Sequence, residues 1–361
     1  GCFSGGAVEL PDGRQLLMYT GVRRGHNADG YLQDIQTQCL AIGDGVDYEK
    51  YPGNPVLTGD DLPQGGSAID FRDPKLWREE DGTYRAAIGN RTEDDSGAIL
   101  LYRSADCLHW EFVRTLDRSC NRYGKMWECP DYFPLDGRQV LIVSPQEMDP
   151  EGLEFHTGNG TVCLIGDCEP GSGDFVRRHA QAIDYGLDFY APQTLLTADG
   201  RRVMIAWMQN WASAGAKPAH CRWFGQMTLP RELSVRDGRL YQVPVRELED
   251  CRGRCVKHTS VPVSGEVSLP GVRGRVVDMT VTVRPVAGES CRWFCVRVAK
   301  DGQYETRIQY RPGEGVLKLD RTHSGLPHDI VHTRKFLVRP GNGTIKLRIV
   351  LDRFSVEVFV N

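Results

Sequence analysis

Asp73 and Glu128 are the residues whose surroundings suggest chemistry. Asp73 stands in Phe71-Arg72-Asp73-Pro74, and Glu128 in Trp127-Glu128-Cys129-Pro130-Asp131. Two carboxylates brought to one cleft can divide glycosidic or other acid–base work. One passes a proton to a leaving oxygen while the other holds negative charge against the positive charge that develops. Each also has a bland reading: Asp73 could pair with Arg72 or cap a turn, and Glu128 could form a salt bridge at a rim. Aromatic residues recur near them and at similar places along the chain, namely Phe3, Phe71, Trp127, Tyr190 and Trp207. Aromatic faces beside acids suit sugar rings, whose C–H faces stack on π surfaces while their hydroxyls meet the carboxylates. Trp207, in Ile205-Ala206-Trp207-Met208, fits an ordinary packed strand residue equally well.

The elements that would position these residues are short strands. Asp12-Gly13, Asp81-Gly82, Asp136-Gly137 and Asp199-Gly200 are each followed by an apolar strand-like run. Asp-Gly favours the backbone of a tight hairpin, so each marks a strand, a turn and a strand. The intervals of 69, 55 and 63 residues each hold about four short strands, the size of a propeller blade. Four blades are read, starting at residues 1, 71, 126 and 188. Eight residues before each turn Asp lie Ser4, Asp73, Glu128 and Ala191. The first strand of a blade lines the central channel. The count therefore sets Asp73 and Glu128 face to face across one funnel, with Ser4 and Tyr190 opening into the same pocket. Trp127 is expected to help desolvate Glu128 there. The rhythm stops near residue 244. Residues 1–245 are read as the propeller, 246–259 as a linker and 260–361 as a second antiparallel domain, most simply a sandwich.

Composition removes other classes. The 361 residues carry 44 basic and 48 acidic side chains, a net charge of −4, which leaves no basic footprint for nucleic acid. No apolar run is long enough to span a membrane as a helix. The twelve cysteines mostly stand singly among apolar residues, which reads as small buried side chains rather than a disulfide framework. Cys251/Cys255 and Cys291/Cys295 lack the spacing of a zinc site, so a metal is not expected. The chain starts without Met and ends within strand-like sequence, and is read as truncated at both ends.

The motifs also carry a resemblance. Phe3-Ser4-Gly5, Phe71-Arg72-Asp73-Pro74, Trp127-Glu128-Cys129-Pro130-Asp131, Phe189-Tyr190-Ala191-Pro192-Gln193-Thr194 and Leu229-Pro230-Arg231-Glu232-Leu233 follow one another as in glycoside hydrolase family 32. That is the group of invertases, sucrose-6-phosphate hydrolases, inulinases and levanases. Leu319-Asp320-Arg321 and Asp352-Arg353-Phe354 resemble its C-terminal sandwich.

The resemblance implies a five-bladed β-propeller, its first blade largely missing here, followed by a β-sandwich. It implies retaining hydrolysis of β-fructofuranosidic bonds in sucrose or related fructosides, with no cofactor. Glu128 is then expected to be the acid/base. Asp73 is expected to stabilise the transition state, ionised beside Arg72. Phe3, Ser4, Arg72, Tyr190 and Trp207 would line the fructose subsite. The family's nucleophile, an aspartate in an Asn-Asp-Pro-Asn motif, has no counterpart in this sequence, so the chain alone is expected to be inactive. Lys217, His220 and Arg222 could meet a substrate phosphate or simply be solvated. The cysteine usage favours a cytoplasmic location over secretion. The alternatives are an arabinan- or xylan-cleaving propeller, a fructosyltransferase, and a non-catalytic carbohydrate-binding propeller.

Overall fold

Alternating apolar and polar residues, punctuated by Asp-Gly turns, build a chain whose regular elements, among the described residues, are strands apart from two short 3-10 turns. The structure, a computed structural model, describes residues 1–26, 30–217, 221–286, 291–326, 329–338 and 343–361. The first four-stranded sheet comprises β1 (Cys2–Glu9), β2 (Gln15–His26), β3 (Leu32–Gly43) and β4 (Tyr48–Lys50). The second comprises β5 (Gly66–Arg78), β6 (Tyr84–Thr92), β7 (Gly97–Ser104) and β8 (Glu111–Arg118). The third comprises β9 (Met126–Leu135), β10 (Arg138–Gln146), β11 (Val162–Cys168) and β12 (Phe175–Ala182). The fourth comprises β13 (Tyr190–Leu196), β14 (Arg202–Trp207), β15 (Arg231–Arg236) and β16 (Arg239–Pro244). Each is a meander, as propeller blades are. The leading strands are neighbours in sequence order: β1 lies against β5, β5 against β9 and β9 against β13.

Strands inside the stack are apolar on both faces because a sheet packs on each side. Val140, Leu141, Ile142 and Val143 of β10 are all fully buried. One cluster joins Met18, Leu40, Phe71, Ile88 and Tyr102, and another Phe133, Ile142, Ile165, Met204 and Leu233. Sheets approach closely at Gly89 on β6, where a Cβ would lie 2.2 Å from the Trp127 carbonyl oxygen of β9.

Residue contacts divide the chain into two units, 1–184 with 188–227 and 233–241, and 185–187 with 228–232 and 242–361. The second unit contains β17 (Val277–Val283), β18 (Phe294–Val298), β19 (Thr306–Arg311), β20 (Val316–Asp320), β21 (Thr333–Leu337), β22 (Ile345–Asp352) and β23 (Ser355–Val360). A three-stranded sheet of order β17-β22-β23 and a four-stranded sheet of order β18-β19-β20-β21 share one core, with Ile308, Tyr310, Leu317, Ile345, Leu347 and Ile349 at its centre. Strand structure starts later than the alternation suggests, at Val277. Pro262, Gly265, Pro270 and Gly271 interrupt the stretch before it.

The cysteine reading is corrected in part. All twelve are free thiols, but only Cys107 and Cys163 are buried, and Cys2, Cys120, Cys168, Cys251, Cys255 and Cys291 are exposed. Cys120, Cys251, Cys255 and Cys291 lie outside strands, in turns and irregular segments, and Cys168 ends β11.

Gly89→Ala is expected to lower unfolding free energy by about 1–3 kcal/mol, because backbone on the facing strand must move to admit the methyl. Gly215→Ala, where a Cβ would meet nothing within 4 Å, is the control. Equal stability of the two variants in urea titrations would contradict the close approach.

Candidate active site

One irregularity builds the site four times over. Between Cys2 and Gly5, Arg72 and Lys75, Glu128 and Asp131, and Tyr190 and Gln193, each leading strand carries one residue more than the strand it pairs with. Such bulges bend a strand and re-aim its side chains. Asp73, Cys129 and Ala191, the second residues of three of these bulges, have φ of 63°, 49° and 50°. A left-handed backbone at a non-glycine residue costs about 1–3 kcal/mol and is held only by surrounding structure.

The bulges correct the eight-residue count. The equivalent residues are Cys2, Arg72, Glu128 and Tyr190, then Phe3, Asp73, Cys129 and Ala191. Glu128 is thus in register with Arg72 rather than Asp73. The count slips because Asp136-Gly137 forms a two-residue turn, with Leu135 paired to Arg138 and φ of 49° and 75° at the corner. The second sheet turns more widely, with Arg78 paired to Tyr84.

Arg72, Glu128 and Tyr190 meet. Arg72 Nε donates to Glu128 Oε1 at 2.8 Å, and Tyr190 OH donates to Glu128 Oε2 at 2.7 Å. The remaining guanidinium nitrogens are also engaged: Nη1 reaches Asp70 Oδ1 at 2.8 Å and Gln36 Oε1 at 3.4 Å, and Nη2 reaches Gln146 Oε1 at 3.3 Å. Four strands of three sheets therefore converge on one cation. The expected pairing of Arg72 with Asp73 is not what forms. Arg72 hydrogen-bonds Glu128 and Asp70 instead, and Asp73 takes its donors from Cys129.

Asp73 is held from other directions. Its backbone N–H donates to Thr20 Oγ1 at 3.0 Å, and Thr20 donates to Gln38 Oε1 at 3.1 Å. Its Oδ2 accepts the Cys129 N–H at 3.1 Å and faces the Cys129 thiol at 3.5 Å. Burial first, then the neighbouring Glu128 charge, push the Asp73 carboxyl from 3.8 up to about 6, and Arg72 and Cys129 only partly offset this. Asp73 therefore gives up its proton less readily than an isolated aspartate. Burial also holds the Cys129 thiol and the Tyr190 phenol well above their ordinary values, so both keep their protons as donors.

The aromatic residues separate. Tyr190 is buried with its hydroxyl on Glu128. Phe71 and Trp127 are wholly buried, and Trp127 turns its indole N–H to the Tyr123 carbonyl at 2.6 Å. Trp127 packs toward Gly97 of β7, so Arg72 and Tyr190, not Trp127, cover Glu128. Phe3 and Ser4 are exposed at the start of β1. Trp207 is half-buried, pairs with Tyr190 across the sheet and meets Trp211 edge-on at 5.2 Å. Among the described residues no hydrogen bond or ring contact joins Phe3, Ser4 or Trp207 to either carboxylate. Lys217 and Arg222 are exposed, and His220 lies outside the described residues. Sequence reasoning missed Gln36, Asp70 and Gln146. Only Asp70 left a signal, as an acid two residues before Arg72 on the same face of β5.

A family model described as the glycosyl hydrolases family 32 N-terminal domain matches residues 1–244, and one described as the family 32 C terminal matches residues 247–361. The chain belongs to glycosyl hydrolase family 32. The raffinose invertase of Escherichia coli is 37% identical over 364 residues, covering 100% of this chain and 72% of the relative. A sucrose-6-phosphate hydrolase of the same species is 33% identical over 369 residues, with the same coverage. Among solved structures, a mutant Bombyx mori GH32 beta-fructofuranosidase in complex with sucrose is 29% identical with a TM-score of 0.78, covering 99% of this chain and 73% of that one. Among the described residues no helix is long and apolar enough to cross a membrane.

In this family 32 chain the geometry predicts a stability cost at Asp73. A carboxyl whose folded value of about 6 lies above its unfolded value near 3.8 destabilises the fold once ionised. The penalty is absent at low pH, grows as pH rises from about 4, and is complete above about 7. At 1.36 kcal/mol per pH unit its ceiling is about 3 kcal/mol, and relaxation and the coupled Glu128 reduce it. Asp73→Asn, which keeps an acceptor for Cys129, is expected to be about 1–2 kcal/mol more stable than the unmodified protein at pH 7.5 and no more stable at pH 4. Denaturant titrations at both pH values check this, and no gain at pH 7.5 would contradict it.

Proposed function

We propose that the chain is the fructoside-cleaving part of a retaining β-fructofuranosidase, acting on sucrose or a related fructoside with Glu128 as acid/base. The observation that carries this reading is the Glu128 carboxyl gripped by Arg72 and Tyr190, with the Asp73 carboxyl held beside it on the Cys129 N–H. An acid/base must lie where it can reach the glycosidic oxygen and must change protonation between steps. The two oxygens of Glu128 accept from Arg72 and Tyr190, which fixes how the carboxyl group is oriented toward the site. Asp73, ionised above about pH 6, would lie against the positive charge developing on the sugar. Phe3, Ser4, Arg72, Tyr190 and Trp207 are assigned to the fructose subsite. The exposure of Phe3, Ser4 and the half-buried Trp207 supports this for those three.

The same reading takes residues 1–245 as part of a five-bladed propeller, 246–259 as linker and 260–361 as sandwich. A retaining glycosidase needs a nucleophile besides its acid/base. The sequence holds no Asn-Asp-Pro-Asn motif. Asp70 is tied to Arg72, and Asp131 is fully buried. We therefore assign the nucleophile to a residue outside 1–361. Twelve unpaired cysteines, six of them exposed, support a reducing compartment.

In the intact enzyme, Glu128→Gln is expected to lower kcat on sucrose by about 10²–10⁴-fold. The loss should be much smaller on a 4-nitrophenyl fructoside, whose leaving group needs no proton. Equal losses on both substrates would remove Glu128 from proton transfer. Residues 1–361 expressed alone are expected to release no fructose from sucrose, and turnover by that chain would place the nucleophile within it.

A further inference from the structure

Three residues just past the bulges share one register position on successive leading strands: Lys75 on β5, Asp131 on β9 and Gln193 on β13. Side chains at equivalent positions point the same way relative to the bulge, and these three meet. Lys75 Nζ donates to Gln193 Oε1 and to the Thr194 carbonyl, each at 3.0 Å. It lies 3.3 Å from Asp131 Oδ1, an ion-pair contact without hydrogen-bond alignment. Asp131 Oδ2 accepts the Thr194 N–H at 2.6 Å. The layer is largely shielded: the Asp131 side chain is 1% exposed and that of Lys75 20%.

We infer that Lys75, Asp131 and Gln193 form a positioning layer that sets the orientation of Glu128 through the bulge beneath it. The link is the Gln193 amide. Its Nε2 donates to the Cys129 carbonyl at 3.1 Å and leans toward that of Pro130 at 3.4 Å. Cys129 holds the left-handed φ of 49° that turns β9 at this point. Its N–H is the donor to Asp73 Oδ2, and Glu128 is the residue before it. Lys75 fixes which way the Gln193 amide faces, since an ammonium can only donate and so takes the oxygen end, leaving the nitrogen end for Cys129. Asp131 keeps the ammonium in place by its charge. A buried polar set favours one arrangement of the strands that carry it, and here every side-chain polar group of the three has a hydrogen bond except Asp131 Oδ1, which has the Lys75 charge. None of the three touches Glu128 or Asp73 by a side-chain hydrogen bond, so their effect on turnover must pass through the bulge.

This inference rests on the acid/base reading of Glu128, and the test separates the two. In the intact enzyme, kcat and KM are measured on sucrose and on 4-nitrophenyl β-fructofuranoside for Lys75→Met, Gln193→Met and Glu128→Gln, with melting temperature and soluble yield alongside. Gln193→Met keeps the Lys75–Asp131 contact and nearly the same volume, so it remains informative if Lys75→Met fails to fold. Gln193→Met is expected to lower kcat on sucrose about tenfold, to leave KM within about twofold, and to lose much less on the aryl fructoside, the same leaving-group pattern as Glu128→Gln at smaller size. Unchanged kcat per folded enzyme with a lowered melting temperature would overturn the positioning layer and leave Glu128's role intact. Equal losses on both substrates for Gln193→Met alone would do the same. Equal losses for Glu128→Gln itself would overturn the acid/base reading and this inference with it.

Discussion

One extra residue in each leading strand is the constraint on which the site depends. A regular strand would alternate its side chains between the two faces of its sheet. Arg72 and Asp73 would then point to opposite sides, and Glu128 would lack a partner on the neighbouring sheet. The bulges break that alternation at the same level in four strands, so that Arg72, Glu128 and Tyr190 become equivalent and adjacent. The left-handed backbones at Asp73, Cys129 and Ala191 are the local cost. The buried polar bonds from Thr20, Gln36, Gln38 and Gln193 hold the strands in that shape.

Electrostatics follow from that geometry. One guanidinium serves Glu128 and Asp70 at the same time, and Asp73 is left with backbone and thiol donors. Buried carboxylates are expensive unless paired, and here there are more carboxylates than cations to pair them. Asp73 absorbs the deficit by binding a proton more readily than a free aspartate. The same shortage makes the site a source of instability, a common feature of catalytic sites.

Much of this was legible in the residues, and the failures share a cause. The Asp-Gly turns gave away four hairpins because glycine is needed at a positive φ there. Asp73 and Glu128 stood out by their neighbours. Register to the nearest residue was hidden, since the turn at Asp136-Gly137 and the wider one after Arg78 look alike in sequence. That single residue decides whether Arg72 meets Asp73 or Glu128. It also decides that Trp127 packs between sheets rather than over the site. The glutamines were invisible because an amide says nothing of its partner until two strands are aligned. The late start of β17 was missed because Val and Ser alternate through a stretch that proline and glycine keep out of any sheet.

The central claim is that Glu128 faces the bond to be broken while Arg72 and Tyr190 hold it from behind. A crystal structure of the intact enzyme carrying Glu128→Gln with bound sucrose tests it most directly. The account predicts the glycosidic oxygen within about 3 Å of the substituted side chain, with the Asp73 carboxyl against the fructosyl ring. A sucrose bound with its glycosidic oxygen out of reach of position 128, or on the far side of Arg72 from it, would contradict the account.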